Sequence, residues 1–214
     1  KGDLLSRNSE LDDDRWILLP NGYDSRDFEN VEPIHKDSRT TITYTGSMYG
    51  KRNPETFFKA VSGLVEAGKV DPKLIDLQFI GRFGGEVAAM FDHPVLRDSI
   101  TVKDYMPHAD SVRHLFQSDA LLMVVDDFKG NEEIVPGKVY EYMGSGKPII
   151  TLAPEGAVTE VIAETNSGRS ARSKDIDAIA EIYLYYYTQW QNGSLGLDQK
   201  KDIVKTFERR EVAG

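Results

Sequence analysis

The sequence predicts an α/β fold built on a doubly wound parallel sheet. Three observations carry this reading. Strand-like and helix-like stretches alternate from residue 40 to residue 164, an order that yields a parallel sheet with helices on both faces. One stretch, Ala120 to Val125, is almost wholly apolar, as a strand buried on both faces is, so it should be central. Three loops with ligand-binding chemistry (46–52, 103–108 and 130–138) follow strands, and such sheets bind ligands beyond the C-terminal ends of their strands.

The chain has 214 residues, a prior of one or two domains, and reads as a lead-in or linker over 1–14 followed by one domain over 15–214. The lead-in is polar and ends in Leu11-Asp12-Asp13-Asp14. Asp12 and Asp14 fit an Asp-x-Asp metal pattern, but nothing nearby offers a third ligand, so it reads as a solvated acidic turn. Trp16-Ile17-Leu18-Leu19 is a short strand stopped by Pro20-Asn21-Gly22. Residues 23–39 read as loop.

Thr40 to Thr45 is β-branched and aromatic, hence a strand. The loop Gly46-Ser47-Met48-Tyr49-Gly50-Lys51-Arg52 leads to a helix from Pro54 to about Gly68, with Phe57, Phe58, Val61, Leu64 and Val65 at helical spacing. Leu74 to Ile80 is the next strand; Gly81, Arg82, Phe83 and two glycines follow, then a short helix from Glu86 to about Phe91. Ser99 to Val102 is a strand. Lys103 to His108 is its loop, and a helix runs from Ala109 to Gln117. After Ala120–Val125 a helix starts at Pro136 and ends by Gly146, because proline suits the first helical turn. Pro148 to Leu152 is another buried strand, and Gly156 to about Glu164 a helix ended by Asn166 and Gly168. A longer helix spans Asp175 to about Gln191; its Tyr183, Tyr185, Tyr186, Tyr187 and Trp190 cover the edge of the core. A last helix runs from about Leu197 to Phe207.

Composition excludes several functions. Net charge is −9 with the acids dispersed, so no overall basic footprint for nucleic acid exists. No apolar run is long enough to span a membrane. Cysteine is absent, which excludes thiol chemistry and fits the cytosol. His35, His93, His108 and His114 show no metal-ligand spacing, and His108 reads as a surface residue. No metal site is expected.

The loops point to an anionic, sugar-bearing ligand. Lys51 and Arg52 are adjacent cations at the end of a strand, well placed for a diphosphate. A Walker loop is rejected: Gly46 and Gly50 have three residues between them, and Arg52 follows Lys51. Arg82 stands at the end of another strand. In the loop 130–138, the N–H groups of Gly137, Lys138 and Val139 would point out of a helix N-terminus, which attracts phosphate. Glu133 and Glu141 bracket this turn with seven residues between them, and Glu141, farther along the helix, can look to the same mouth. An acid there suits the paired hydroxyls of a ribose.

With those loops in hand, the chain resembles the C-terminal, donor-binding domain of retaining GT-B glycosyltransferases of the group 1 family. Ile17 to Asp24 with Phe28, Tyr44-Thr45-Gly46 through Lys51-Arg52, the Glu133-x7-Glu141 pair, and Lys147-Pro148-Ile149-Ile150 carry the resemblance, in order, over about residues 15–210. It implies a Rossmann-like domain that is a single GT-B half, with the acceptor-binding N-terminal domain absent from this fragment. It implies that Glu141 binds the ribose, and that Lys51 and Arg52 neutralise the diphosphate beside Gly46 and Ser47. Glu133 and the backbone of Ile134, Val135, Pro136, Gly137 and Lys138 would hold the donor sugar and distal phosphate, and the base would lie against Tyr105 and Met106. Many relatives carry Gly and an aromatic after the first Glu, where this chain has Ile134, Val135 and Pro136. The implied activity is transfer from a nucleoside-diphosphate sugar to an acceptor hydroxyl, without a metal or other cofactor. The setting would be polysaccharide or lipid-linked glycan synthesis, in the cytoplasm or peripherally at the membrane in a full-length protein. The fragment alone is expected to be inactive. Rival readings are a nucleotide-sugar epimerase, a metal-dependent transferase using Asp126 and Asp127, and a non-catalytic nucleotide-binding module.

Overall fold

The structure, a computed structural model, describes residues 21–29, 31, 38–128 and 130–213. The expected lead-in 1–14, its Asp12 and Asp14, the expected strand Trp16–Leu19 and His35 lie outside the described residues. Six strands form one parallel sheet: β1 (Thr40–Thr45), β2 (Ile75–Gly81), β3 (Ile100–Asp104), β4 (Ala120–Val124), β5 (Ile149–Leu152) and β6 (Gly168–Ala171). Their order is β3-β2-β1-β4-β5-β6. The chain winds outward from β1 through β2 to β3, then returns to place β4 on the other side of β1. The switch point therefore lies between β1 and β4, where loops diverge and leave a crevice. Each strand–helix–strand unit returns over the sheet as parallel pairing requires.

Side-chain alternation divides the core into two layers. Ile42, Tyr44, Leu77, Phe79, Leu122 and Val124 face one cluster, completed by Phe57 and Phe58 of α1 (Glu55–Glu66) and Tyr183 and Tyr187 of α6 (Ile176–Gln191). Leu121, Met123, Val125 and Ile149 face the other, covered by Val139, Tyr142 and Met143 of α4 (Lys138–Gly144) and Val158 and Ile162 of α5 (Ala157–Glu164). All of β4 is buried, as a central strand must be. Two short helices complete the layers: α2 (Gly85–Met90), whose Val87 joins the first cluster, and α3 (His108–Gln117), whose Leu115 joins the second. Of the aromatic residues on α6, Tyr183, Tyr186 and Tyr187 are buried, while Tyr185 stays exposed under the Arg169 guanidinium, 4.0 Å from its ring centroid.

Three elements differ from the sequence reading. Gly168–Ala171 is an edge strand rather than the loop after a helix. Its residues are too polar to announce a strand, and glycine is what lets it in: a Cβ on Gly168 would lie 2.0 Å from the Ile149 carbonyl oxygen. The helix expected from Pro136 starts two residues later, because the Val139 N–H turns back to the Pro136 carbonyl at 2.9 Å before regular helical bonding begins. The last helix, expected from about Leu197, begins only at Lys201, after the Lys200 N–H has bonded the Thr165 carbonyl at 2.9 Å. α7 (Lys201–Lys205) stops, Phe207 turns to accept the Tyr23 N–H at 3.1 Å, the Arg209 N–H returns to the Tyr23 carbonyl at 2.9 Å, and α8 (Arg209–Ala213) follows.

The face of β1–β3 under α3 is polar. Ser118 donates to Thr43 Oγ1 at 2.6 Å, and Thr101 and Gln78 both donate to the Asp76 carboxylate. His114 is buried among these groups, with Nε2 3.5 Å from the Lys103 ammonium and Nδ1 without a partner. Burial, then Lys103, pushes its pKa below the usual imidazole value. The unfolded chain therefore takes up a proton near pH 6.5 that the folded chain refuses, so stability falls as pH drops below that point. Thermal midpoints measured from pH 7 to pH 5 are expected to decline more steeply in the parent chain than in His114→Gln. Parallel declines would remove His114 as the cause.

Candidate functional site

The end of β1 and the end of β2 are pinched together. The Gly46 N–H donates to the Ile80 carbonyl at 2.8 Å, and a Cβ on Gly81 would lie 1.9 Å from the Gly46 oxygen. Both glycines have positive φ, +115° at Gly46 and +150° at Gly81, conformations that other residues reach only with strain. The next residues zip the two loops: the Met48 N–H donates to the Arg82 carbonyl and the Gly84 N–H to the Met48 carbonyl, both at 3.0 Å. These bonds tie the β1 and β2 ends together beside the switch point, with glycine at the two closest positions.

A cavity of ≈330 Å³ opens there. Thr45, Gly46, Ser47 and Gly81 form its base. Tyr105, Met106, His108 and Ser111 form one side, from the β3–α3 loop and the first turns of α3. Arg52, Lys138 and Glu141 form the other. Lys138 and Glu141 are three residues apart on α4, so they share a helix face. Glu141 Oε1 lies 3.1 Å from His108 Nε2, which fastens the start of α3 to α4 across the cavity. Beneath Lys138, the buried Tyr142 hydroxyl is held by the Thr45 N–H at 2.9 Å and by Thr45 Oγ1 at 3.0 Å. Burial pushes that phenol up to about 12, so it stays neutral. The Lys138 ammonium donates to the Thr45 carbonyl at 3.0 Å and sits 4.0 Å over the Tyr44 ring.

The sequence-predicted residues divide between this cavity and its surroundings. Gly46, Ser47, Arg52, Tyr105, Met106, Lys138 and Glu141 share it. Lys51 does not. Its ammonium lies 4.3 Å over the Phe128 ring, and its side chain lines a second hollow of ≈310 Å³ with Asp126, Asp127 and Lys174. The adjacent cations thus line different hollows, and the Arg52–Asp126 ion pair, 3.5 Å long, links a residue of the first to a residue of the second. Arg82 lines a third hollow with Tyr105, stacking 4.7 Å over the tyrosine ring. Glu133 is exposed in a 3-10 turn, Asn131–Glu133, and Ile134 is also exposed. Val135 packs against the core cluster under α4, and Pro136 and Gly137 form the turn into that helix. The Val139 N–H is bonded within this turn and is not available to a ligand.

Sequence reasoning missed the side-chain role of Lys138 and the positions of Gly81, His108 and Ser111. The spacing of Lys138 to Glu141 was a readable signal for the first. Nothing local marks His108, whose partner lies 33 residues away. Asp126 and Asp127 diverge, the first to Arg52 and the second to Lys174 at 3.2 Å. Among the described residues no three His, Cys, Asp or Glu side chains are grouped to hold a metal ion. Among the same residues, no helix is long and apolar enough to cross a membrane.

A parallel sheet of this order, with a cavity beyond the C-terminal ends of its strands, defines a Rossmann-like domain. The family model described as glycosyl transferases group 1 matches residues 39–189, and the chain belongs to that family. Sucrose-phosphate synthase from Thermosynechococcus elongatus superposes with a TM-score of 0.71 at 15% identity, over 99% of this chain and 53% of that one. WaaG, a glycosyltransferase involved in lipopolysaccharide biosynthesis, gives 0.66 at 16%, over 100% and 56%. HepE from Anabaena, crystallised with UDP and glucose, gives 0.66 at 11%, over 91% and 53%. At these identities the likeness is one of fold: the Rossmann-like half of the GT-B architecture. The chain spans about half the length of these solved structures. No curated protein matches it.

Proposed function

We propose that these residues bind the donor of a glycosyltransferase, which moves a sugar from a nucleoside-diphosphate sugar to an acceptor hydroxyl. The observation that supports this most is that Arg52 and Glu141 face one cavity at the switch point. In this reading Glu141 accepts hydrogen bonds from the ribose hydroxyls and exchanges its contact with His108 for them. Tyr105 and Met106 flank the base. Arg52 meets the diphosphate over Gly46, where the missing side chain lets phosphate oxygens come close to the backbone, and beside the Ser47 hydroxyl.

The chemistry follows from where charge develops. As the anomeric carbon–oxygen bond breaks, the bonding pair stays on the diphosphate oxygen while the acceptor oxygen bonds to carbon and passes its proton to the departing diphosphate. A fixed guanidinium beside that oxygen stabilises the growing charge without reorganising, and such preorganised stabilisation supplies most of the rate enhancement of many enzymes. Retention at the anomeric carbon belongs to the same proposal, as does an acceptor of glycan or lipid-linked type. Solved relatives are about twice the length of this chain, and the acceptor would be held by residues outside the 214.

UDP, the nucleotide bound in HepE, is the natural probe. Glu141→Ala is expected to weaken UDP about tenfold by removing hydrogen bonds to a charged group, and to change inorganic pyrophosphate, which has no ribose, much less. Calorimetric titration giving equal UDP affinity in both proteins would end the ribose assignment. The 214-residue chain mixed with UDP-glucose and a hydroxyl acceptor is expected to show no transfer above buffer hydrolysis.

A further inference from the structure

Lys138 is an unusual cation. Among the described residues no carboxylate lies within ion-pair distance of its ammonium, which instead meets the Thr45 carbonyl and the face of the Tyr44 ring. A Cβ on Gly46 would stand 3.2 Å from Nζ, so the ammonium lies against the Gly46 backbone at the edge of the cavity that Lys138 lines. The groups facing it are few. From β1 comes Tyr44, whose hydroxyl donates to the Ser47 carbonyl at 3.0 Å. From the following loop comes the Arg52 guanidinium, tied to Asp126 of the β4 end. From α4 come Glu141, engaged by His108 of α3, and the neutral Tyr142 phenol.

Burial disfavours the charged ammonium, Arg52 repels it, and Glu141 offsets only part of this, so the group falls to about 7. A diphosphate laid over Gly46 and Ser47 between Arg52 and Lys138 reverses the sign of the local field. We propose that Lys138, rather than Lys51, is the second cation on the diphosphate, and that nucleoside diphosphate binding draws a proton from solvent onto its Nζ. The balance is simple: neutral amine plus a proton from the buffer gives the ammonium, and departure of the diphosphate returns that proton. The inference rests on the nucleotide reading above and adds its pH regulation: the donor is held firmly below neutrality and released more readily above it.

The test is calorimetric titration of UDP into the 214-residue chain at pH 8, in buffers of differing ionisation enthalpy. The terminal phosphate of UDP, with a second pKa of about 6, is already ionised there and contributes no proton of its own. Uptake close to one proton per UDP is expected, with affinity falling about fivefold from pH 7 to 8 and about tenfold over the next unit. Lys138→Met should abolish the uptake, and Lys138→Arg should bind UDP with no such slope. UDP binding without uptake at pH 8 overturns the proposal and leaves the nucleotide reading standing. Uptake that persists in Lys138→Met overturns the assignment to this residue. Failure of UDP, ADP, GDP and pyrophosphate to bind at pH 6 overturns both readings.

Discussion

Arg52→Ala is expected to lower UDP affinity by about 10- to 100-fold, while Lys51→Ala leaves it within about threefold. A charge-assisted hydrogen bond contributes about 1.5–3 kcal/mol net, and each 1.4 kcal/mol is a factor of about ten. Arg52 lines the cavity; Lys51 reaches over Phe128 and lines the other hollow. The two cations are neighbours in sequence, so net charge and local composition change identically in the two variants. Only direction separates them. Titration calorimetry decides the matter, and a larger loss in Lys51→Ala would mean that the diphosphate lies in the other hollow. Arg52→Ala also strips Asp126 of its ion-pair partner, so thermal melts of both variants belong beside the titration to separate lost binding from lost structure.

Gly81→Ala is expected to destabilise the fold by at least about 3 kcal/mol, lowering the thermal midpoint by roughly 6–12 °C for a chain of this size. Two costs combine. The φ of +150° strains any residue with a Cβ, and that Cβ would meet the Gly46 carbonyl oxygen at 1.9 Å. The neighbour is backbone, so relief requires β1 and β2 to part at the site itself. Gly63→Ala is the matched control. It lies in α1 with nothing within 4 Å of an added Cβ, and a gain of about 0.5–1 kcal/mol is expected there. Circular dichroism melts of the two proteins, moving in opposite directions, are the expected outcome; similar melts would refute the close approach at Gly81.

The fold was legible where side chains declare their burial. The β-branched run Thr40–Thr45 and the apolar run from Ala120 kept their predicted limits to within a residue, because their composition reflects their own surroundings. β6 was not legible. Gly168, Arg169 and Ser170 pair through backbone alone at the sheet edge, and no side chain records that. The break after α7 was hidden for a similar reason, since Phe207 answers to Tyr23, far away in the chain. Much of the candidate site was legible because Gly46, Ser47, Tyr105, Met106 and Glu141 sit at strand ends or on a helix face whose position follows from the element order. What sequence could not carry is direction. Whether Lys51 or Arg52 turns inward is decided by Phe128 and Asp126, which compete for them from another strand end.

The short parallel bridge between Tyr23 and Glu208, reinforced by Arg209 Nε on the Gly22 carbonyl and by Ser25 on the Glu208 carboxylate, joins segments 185 residues apart. Polypeptide arriving at Tyr23 and polypeptide leaving at Arg209 therefore use adjoining doorways. Both portals are thereby anchored to one point on the rim of the domain.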